Sequence, residues 1–342
     1  MNFKMTLISL RTFLVFLCLT LVIIVYFLSV SDDLPVSASW LLTRGETAEP
    51  DSVTVRFSGT STLLFSDGEN KWMIDGWFSR PSLYQLMAGT IKPDLRLIEY
   101  GLKSNEIGGL DAVIPVHSHF DHAMDSPEVA RRTGAILYGS ESTLNIGRGW
   151  GLEEQYLSLI VSEQPISIGA FEIIPIEIPH FQFPSQKMNN SETNNGEILE
   201  PLSTPARISD YKMGTNYAFH VKHPKGSVTI VGSAGFRKGA LQGIKTDVLF
   251  LGIGGLGGQS EAYRRTYWNE TVLSTQPKRI FPIHYDSLLS SIDKPLKGQP
   301  IFASFITGKA KETRRFLNEA MDSYHEGQIR TLPRFEEVLL FK

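Results

Sequence analysis

The apolar pattern divides the chain into one long uncharged run near the N-terminus and a larger part in which short apolar runs alternate with polar turns. Residues 12–30 carry no charge and consist mainly of Leu, Val, Ile and Phe. A helix over this run would be about 28 Å long at 1.5 Å per residue, close to the ~30 Å hydrocarbon core of a bilayer. The pattern therefore predicts one N-terminal transmembrane helix, a membrane anchor within residues 1–30.

The charges beside this run predict its orientation. Lys4 and Arg11 precede it, and Asp32 and Asp33 follow it. Because positive residues remain on the cytoplasmic side, we expect a membrane-anchored protein with its catalytic domain on the outer, extracytoplasmic side. A cleaved signal sequence is the alternative, since residues 36–38 (Val-Ser-Ala) could be a cleavage site. Removal of residues 1–38 would then give an exported, soluble protein.

Beyond the anchor, the pattern predicts a linker over residues 31–51 and a single domain over residues 52–342. Residues 31–51 are polar and contain Pro, Ser and Thr, and no later boundary is evident. Strand-like runs cluster first and helical runs interleave later, which favours an α/β fold, an αββα sandwich of two sheets between helices. The predicted strands are 53–57, 62–65, 72–74, 112–116, 135–138, 171–178, 218–221, 228–231, 248–253 and 279–283. The predicted helices are 82–88, 127–132, 140–146, 263–273 and 309–324.

Composition narrows the class of protein only slightly. The chain has 342 residues, of which 42% are hydrophobic, and a formal net charge of −3. This balance is ordinary for a globular domain, and without a basic excess we expect no nucleic acid partner. The one cysteine, Cys18, lies in the apolar run, so no disulfide within the chain and no thiolate metal ligand is expected.

The strongest chemical signal is a cluster of His117, His119, Asp121 and His122 directly after the apolar run 112–116. Imidazole nitrogen and carboxylate oxygen are natural ligands for Zn²⁺ and similar divalent ions. A strand that ends in such a turn can direct these side chains at one point. The segment therefore predicts a metal site, and candidate ligands further along the chain favour this over a His-rich solvated turn.

The spacing His-x-His-x-Asp-His after a strand resembles the signature of the metallo-β-lactamase superfamily, a large group of mostly hydrolytic metalloproteins. The resemblance extends over roughly residues 52–310. Asp75 matches the family's first characteristic Asp, His180 its third motif, and His284 its last motif.

This resemblance implies a ligand set and a mechanism. His117, His119 and His180 would hold one metal ion, and Asp121, His122 and His284 a second. The cofactor is expected to be Zn²⁺, as one or two ions, or another divalent metal. Three protein ligands leave a coordination position open, where bound water would have its pKa lowered to ~7 and give hydroxide. Asp121 is expected to act as the catalytic residue that orients this water.

One position departs from the family pattern. Ser233 stands where the family usually places a metal-bridging Asp. A carboxylate offsets the repulsion between two nearby cations, and a hydroxyl does so poorly. We therefore expect a weaker second site, a one-metal enzyme or a bridge made by hydroxide alone. Ser233 could still bind the water. Asp75 and Asp286 are candidate substitutes, although Asp75 more often supports a ligand from behind.

Three further features could surround the site. The polar insertion 181–213 is either a lid over the site or a disordered surface loop. The glycine-rich segment 252–258 predicts a tight turn near the rim, since no phosphate-loop Gly-Lys-Ser/Thr follows. Six aromatic residues are candidates for an apolar rim or for the core: Trp77, Phe78, Trp150, Tyr267, Trp268 and Tyr285. His220, His223 and His325 are expected to have no catalytic role.

The opening segments 59–62 and 74–76 resemble most closely the branch that contains sugar-lactone hydrolases and N-acyl-phosphatidylethanolamine phospholipase D enzymes. The resemblance implies a metal-dependent hydrolase that uses a metal-bound hydroxide on an ester or phosphodiester. With the anchor, it favours a small-molecule or lipid-like substrate and a membrane contact through the N-terminal helix. The alternatives are a lactonase of the same superfamily and a non-catalytic envelope binding module, in which Ser233 marks a degenerate metal site.

Overall fold

Two stacked β-sheets form the centre of the molecule. In this computed structural model, the residues described are 2–34, 36, 38–42, 51–183, 185–304 and 308–342. Among them, seven strands form the first sheet in the order β16-β2-β3-β4-β5-β6-β7, and seven form the second in the order β15-β13-β12-β11-β10-β9-β8. The strands are β1 Ser31–Asp32, β2 Val53–Gly59, β3 Thr62–Ser66, β4 Lys71–Ile74, β5 Ala112–Ile114, β6 Ile136–Gly139, β7 Leu157–Leu159, β8 Ile166–Ile168, β9 Phe171–Glu177, β10 Tyr217–His223, β11 Gly226–Val231, β12 Val248–Gly252, β13 Arg279–Ile283, β14 Gln299–Pro300, β15 Gln328–Ile329 and β16 Glu337–Phe341.

Helices cover the outer faces of both sheets. The described helices are α1 Asn2–Ser29, α2 Leu83–Met87, α3 Leu95–Ser104, α4 Phe120–Ala123, α5 Ser126–Thr133, α6 Glu141–Gly149, α7 Gln186–Asn189, α8 Glu192–Asn195, α9 Glu261–Trp268, a π-helical turn Asn269–Leu273, and α10 Ala310–Asp322. Short 3₁₀ turns lie at Ala38–Trp40, Glu154–Tyr156, Ile208–Asp210, Leu256–Gly258 and Ile301–Ala303.

The main hydrophobic core lies between the inner faces of the two sheets. Phe65 on β3 stacks on Trp72 on β4, with ring centroids 4.5 Å apart, and meets Phe250 of the second sheet edge-on at 5.6 Å. All three side chains are buried. Aromatic pairs of this geometry add to the stabilisation from burial alone, so these rings hold the two sheets in register.

Each outer face has its own core against helices. Met73 and Val113 of the first sheet pack with α3 and α5, and Leu249 and Leu251 of the second sheet pack with α9 and α10. The predicted αββα arrangement, two sheets flanked by helices, is therefore confirmed.

In both sheets, the strands that precede the candidate ligands include antiparallel pairs followed by parallel pairs. β2, β3 and β4 pair antiparallel, whereas β4, β5 and β6 pair parallel. In the second sheet, β11, β12 and β13 are parallel. Parallel strands direct their carboxyl ends to one edge of a sheet, and loops at such edges commonly carry functional side chains.

Helix α3 is an element that the sequence prediction lacked. Asp94 caps it by accepting hydrogen bonds from the N–H groups of Arg96 and Leu97, as a capping residue does. Its buried face includes Ile98 and Leu102, four residues apart. The signal was therefore present as a capping Asp followed by helical spacing.

The first residues after α1 lie against the domain. Ser31 and Asp32 pair with β14, and the Thr331 N–H donates to the Trp40 carbonyl at 2.8 Å. Part of the predicted linker thus contacts the domain, whereas positions 35, 37 and 43–50 lie outside the described residues. The predicted cleavage site includes position 37. The bounds 1–30, 31–51 and 52–342 stay predictions.

The prediction of an N-terminal transmembrane helix is wrong, and with it the membrane-anchored localisation with the domain on the outer side. Crossing a bilayer takes about 20 consecutive, mainly apolar residues in a helix. In the part of the chain that the structure describes, no helix is both long enough and apolar enough to do so.

Candidate metal centre

The central histidine motif lies at the carboxyl end of β5, where the chain turns into helix α4. His117 and Ser118 occupy the turn, His119 is the residue before the helix, and Asp121 and His122 lie within it. All are buried. Because β5 is paired on both sides, the turn leaves the sheet at a fixed place and direction.

The first group of candidate ligands comprises His117, His119 and His180. One ligand atom from each lies within 4.8 Å of the others. His117 Nε2 is 3.0 Å from His119 Nδ1. His180 comes from the second sheet, three residues after β9 ends, so both sheets contribute to this group.

The second group comprises Asp121, His122 and His284, with ligand atoms again within 4.8 Å of one another. His284 Nε2 lies 3.2 Å from His122 Nε2 and 3.4 Å from the Asp121 carboxylate. His284 follows β13 directly. The structure thus brings all six sequence-predicted ligands into two adjacent groups of three.

Asp75 holds the second group from behind. Its Oδ2 lies 2.8 Å from His122 Nδ1, and its Oδ1 accepts a hydrogen bond from the Val116 N–H at 2.9 Å. A carboxylate acceptor places the His122 proton on Nδ1 and leaves Nε2 free for a metal. Asp75 therefore contacts a candidate ligand and belongs to neither ligand group, and its supporting role toward a metal stays a prediction.

Backbone carbonyls orient two ligands of the first group in the same way. His119 Nε2 lies 3.1 Å from the Thr193 carbonyl oxygen, and His180 Nδ1 lies 3.1 Å from that of Phe181. Each carbonyl accepts the N–H, which leaves His119 Nδ1 and His180 Nε2 with lone pairs for a metal. Thr193 belongs to α8 in the insertion, and no sequence signal identified it.

Burial keeps the first group neutral. Burial and the neighbouring imidazoles place the pKa of His117 and that of His180 well below the usual value for histidine. Burial also lowers the pKa of His119. Neutral imidazoles are the form that binds metal ions.

The second group favours a positive charge. Burial acts to lower the pKa of His122, but Asp75 and Asp121 outweigh it and the pKa is raised. Burial acts to raise the pKa of Asp121, but His122 and His284 hold it below its usual value. The ionised carboxylate of Asp121 therefore lies beside the His122 and His284 imidazoles, where a proton or a metal cation would be stabilised.

The donor set fits a divalent cation. His119 Nδ1 and His122 Nε2 carry lone pairs that point at other imidazole nitrogens across 3.0 and 3.2 Å. Such buried contacts are unfavourable unless a proton or a cation lies between the nitrogens. Imidazole and carboxylate ligands suit Zn²⁺, Fe²⁺ and related ions.

Ser233 lies in the turn that follows β11, close to ligand-bearing turns of both sheets. A Cβ on Gly232 would lie 2.8 Å from Val116, and one on Gly235 would collide with the carbonyl oxygen of Pro179. The backbone therefore passes close to both ligand turns. Ser233 is buried, and its Oγ has no hydrogen-bond partner among the described residues. Its role toward metal or water stays a prediction.

Asp286, the other candidate for a bridging ligand, is engaged elsewhere. Its Oδ1 accepts a hydrogen bond from the Thr60 N–H at 2.6 Å. Its Oδ2 lies 3.3 Å from Arg334 and 3.8 Å from Arg80. The carboxylate belongs to a buried ion-pair cluster and to neither ligand group.

A cavity of about 620 Å³ opens beside the two groups. His119, Asp121, His180 and His284 lie in its wall, and the remaining wall is mainly apolar. A cavity with this balance binds a molecule with a large apolar part and a few oriented polar groups.

The insertion 181–213 forms one side of this cavity. Phe181, Phe183 and Met188 line it together with Thr193, and Ser118 Oγ donates to the carbonyls of Lys212 and Met213. The described part of the insertion therefore covers the site, in agreement with the lid alternative. Phe181 and Phe183, two apolar residues at the start of an otherwise polar insertion, are a signal that the sequence analysis did not use.

Other walls come from distant parts of the chain. Leu34 lines the cavity although it lies in the predicted linker. Of the six aromatic candidates for the rim, only Tyr285 lines the cavity; Trp77, Phe78, Tyr267 and Trp268 are buried core residues, and Trp150 donates to Glu128.

The glycine-rich segment 252–258 forms the tight turn predicted at the rim. Gly254 and Gly255 line the cavity. A Cβ on Gly254 would lie 2.8 Å from His284 Nδ1, and Gly255 has φ of +78°. Side chains at these positions would collide with His284 or strain the turn.

Comparison with known proteins gives a family and a fold. Residues 56–284 match the family profile described as Metallo-beta-lactamase superfamily. No curated protein sequence matches the chain significantly.

Three solved structures share the fold at low sequence identity. Igni18, described as a novel metallo hydrolase from the hyperthermophilic archaeon Ignicoccus hospitalis, aligns with a TM-score of 0.51 and 17% identity over 85% of this chain and 100% of its own. YhfI from Bacillus subtilis, a metallo-beta-lactamase fold protein, aligns with a TM-score of 0.51 and 14% identity over 84% of this chain and 99% of its own. A possible metal-dependent hydrolase from Veillonella parvula aligns with a TM-score of 0.51 and 13% identity over 84% of this chain and 99% of its own.

Replacing Asp75 tests its support of His122. Asparagine has one oxygen for the two contacts that the carboxylate makes. If that oxygen faces His122, the Val116 N–H loses its acceptor. If the amide N–H faces His122 Nδ1, it favours the tautomer in which Nε2 carries the proton. We expect Asp75→Asn to weaken metal binding about 10–100-fold, measured by titrating metal-free protein with Zn²⁺. Asp111→Asn, whose carboxylate accepts from Lys71 N at the start of β4, should bind like wild type. Equal affinity in both variants would contradict the role given to Asp75.

Proposed function

The chain belongs to the metallo-beta-lactamase superfamily, and from this membership we propose that it is a metal-dependent hydrolase of esters or phosphodiesters with a substantial apolar part. The observation that carries the proposal is the pair of three-ligand groups at one wall of a mainly apolar cavity. Either group alone would leave a coordination position open, which is typical of catalytic and not of structural sites.

We propose that His117, His119 and His180 hold one ion tightly and that Asp121, His122 and His284 form a weaker site for a second. The residue types favour Zn²⁺, although Fe²⁺ and other divalent ions suit the same donors. A bound divalent cation supplies Lewis acidity, which acidifies water and polarises the oxygen of the scissile group.

The protein's own residues perform the remaining tasks. Asp121 lines the cavity and stays ionised, so it can accept a hydrogen bond from the attacking water and orient it. Phe181, Phe183 and Met188 exclude bulk water from the covered side. The apolar wall binds the apolar part of the substrate and holds the scissile group beside the ligands.

The apolar wall supports a lipid-like substrate over a small polar one. The charged side chains in the wall outside the ligand groups are Asp32 and Lys187, among the residues described. A lactone is an internal ester and would meet the same chemistry, so a lactonase is the neighbouring alternative.

Removal of metal tests the enzymatic function. Hydrolysis of an aryl phosphodiester, an aryl ester and a simple lactone should disappear with EDTA and return with Zn²⁺. His119→Ala should lower kcat/KM by roughly 100-fold or more, beyond the effect of losing an outer partner. His325→Ala, at an exposed histidine, should retain wild-type activity. Hydrolysis that persists with EDTA and in His119→Ala would refute the metal-dependent mechanism.

The number of ions depends on Ser233. We expect about one tightly bound ion per chain in wild type and about two in Ser233→Asp, because the added carboxylate offsets repulsion between the cations. Elemental analysis of both proteins measures this. Two ions in wild type would show that a bridging carboxylate is dispensable here. No ion in either would favour the non-catalytic binding module.

The apolar cavity predicts that kcat/KM depends on the length of the substrate's alkyl chain. Each added methylene should raise kcat/KM about fourfold, the equivalent of about 0.8 kcal/mol, until the chain fills the cavity. Leu34→Ser should flatten this gain. Leu41→Ser, at an exposed leucine of the same segment, should not. A series of alkanoate aryl esters measures it, and equal slopes in all three proteins would exclude the cavity as the site for the chain.

A further inference from the structure

Two residues in contact beside the second ligand group have strained backbones. His284 has φ of +61° and Thr60 has φ of +55°. The left-handed region is unfavourable for residues other than glycine, and for a β-branched residue such as Thr60 it is exceptional. Strain of this kind persists only where the surroundings enforce it, and it concentrates at functional sites.

A pair of short hydrogen bonds joins these two residues to Asp286. The His284 N–H donates to the Thr60 carbonyl at 2.6 Å. The Thr60 N–H in turn donates to Asp286 Oδ1, also at 2.6 Å. The turn between β2 and β3 is therefore held between residues 284 and 286, and the backbone of His284 is fixed through Thr60.

A buried arginine and a partly buried one neutralise the carboxylate that completes this arrangement. Arg334 and Arg80 face Asp286 Oδ2, and both the carboxylate and Arg80 are fully buried. Arg80 lies 3.9 Å from the centroid of the Trp77 ring and donates to the Ser79 carbonyl. An unpaired carboxylate at this depth would be strongly unfavourable.

The same β2–β3 turn also contacts the other histidine of the group. Ser61 Oγ lies 3.1 Å from His122 Nδ1. Arg80 belongs to the loop that begins at Asp75, the acceptor for His122. Both histidines of the second group are thus supported by the same two loops.

We propose that Asp286 is a positioning residue for His284 that acts through Thr60. Arg80 and Arg334 offset the unfavourable free energy of burying the Asp286 carboxylate. The cluster holds the imidazole of His284 against that of His122, where the second ion would bind. The metal-binding part of this inference rests on the proposed function. Asp286 touches neither substrate nor metal in this role.

Titration with Co²⁺ measures the effect on the second group. The metal-free full chain is titrated, each binding step is followed by visible absorption, and the step abolished by His284→Ala identifies the group. Asp286→Ala should weaken that step about 10–100-fold, as loss of an outer partner does, and leave the other step unchanged. In Asp286→Asn the amide oxygen can still accept from the Thr60 N–H, but the charge that faces the arginines is lost. Its affinity for Co²⁺ in that step should therefore lie between those of wild type and Asp286→Ala.

Amide hydrogen exchange gives a readout that needs no metal. In the metal-free chain, the peptide that contains His284 should exchange faster in Asp286→Ala than in wild type. Asp293→Asn is the matched control for both measurements, because Asp293 lies in the same loop but pairs with Arg96 at the surface. It should change neither the Co²⁺ steps nor the exchange.

Each outcome decides the inference. Selective weakening of one Co²⁺ step with faster exchange at His284 supports it. Unchanged steps and exchange in Asp286→Ala would overturn it, as would equal weakening of both steps, which indicates a general structural role. If Asp286→Ala does not fold, Asp286→Asn is tested against the same criteria. A wild type that binds no Co²⁺ contradicts the proposed function, while the exchange measurement still decides the positioning role.

Discussion

The carboxylate of Asp75 joins the end of β4 to the end of β5 and to His122, and the candidate metal centre depends on this junction. One oxygen accepts from the Val116 N–H, directly before the histidine motif, and the other holds the His122 imidazole. Asp75 itself has φ of +61°. The strained turn is therefore stabilised by the contacts that orient the ligand, as expected where a site must be rigid before a metal binds.

The second ligand group repeats this arrangement on its other side. His284 is also strained, and its backbone is fixed by Thr60, which Asp286 holds in turn. Both of these buried carboxylates are paired: Asp75 with an imidazole and Asp286 with two arginines. Because an unpaired buried charge is highly unfavourable, these pairings couple the loops around the centre, and a change in one loop alters the position of a ligand in another.

The two candidate ligand groups and an apolar cavity meet at one wall. The candidate ligands lie at the carboxyl ends of β5, β9 and β13, whereas the cavity walls come mainly from the insertion, the glycine-rich turn and the segment after α1. The rigid sheets position the ligands, and loops of no regular pattern shape the space beside them. Loop residues can therefore change the shape of the cavity without changing the strands that position the candidate ligands.

The sequence by itself determined the histidine motif, most central strands and the layered fold. These features are local: four candidate ligands fall within six residues after an apolar run, and the alternation of apolar residues follows from the strand geometry. The sequence also suggested a transmembrane helix, which was wrong. Only the tertiary structure decided that Thr193 orients His119, that Leu34 lines the cavity, and that Asp286 pairs with arginines instead of bridging metals. Each of these contacts joins residues far apart in the chain, so its partner is set by how the sheets and loops pack and leaves no pattern in the local sequence.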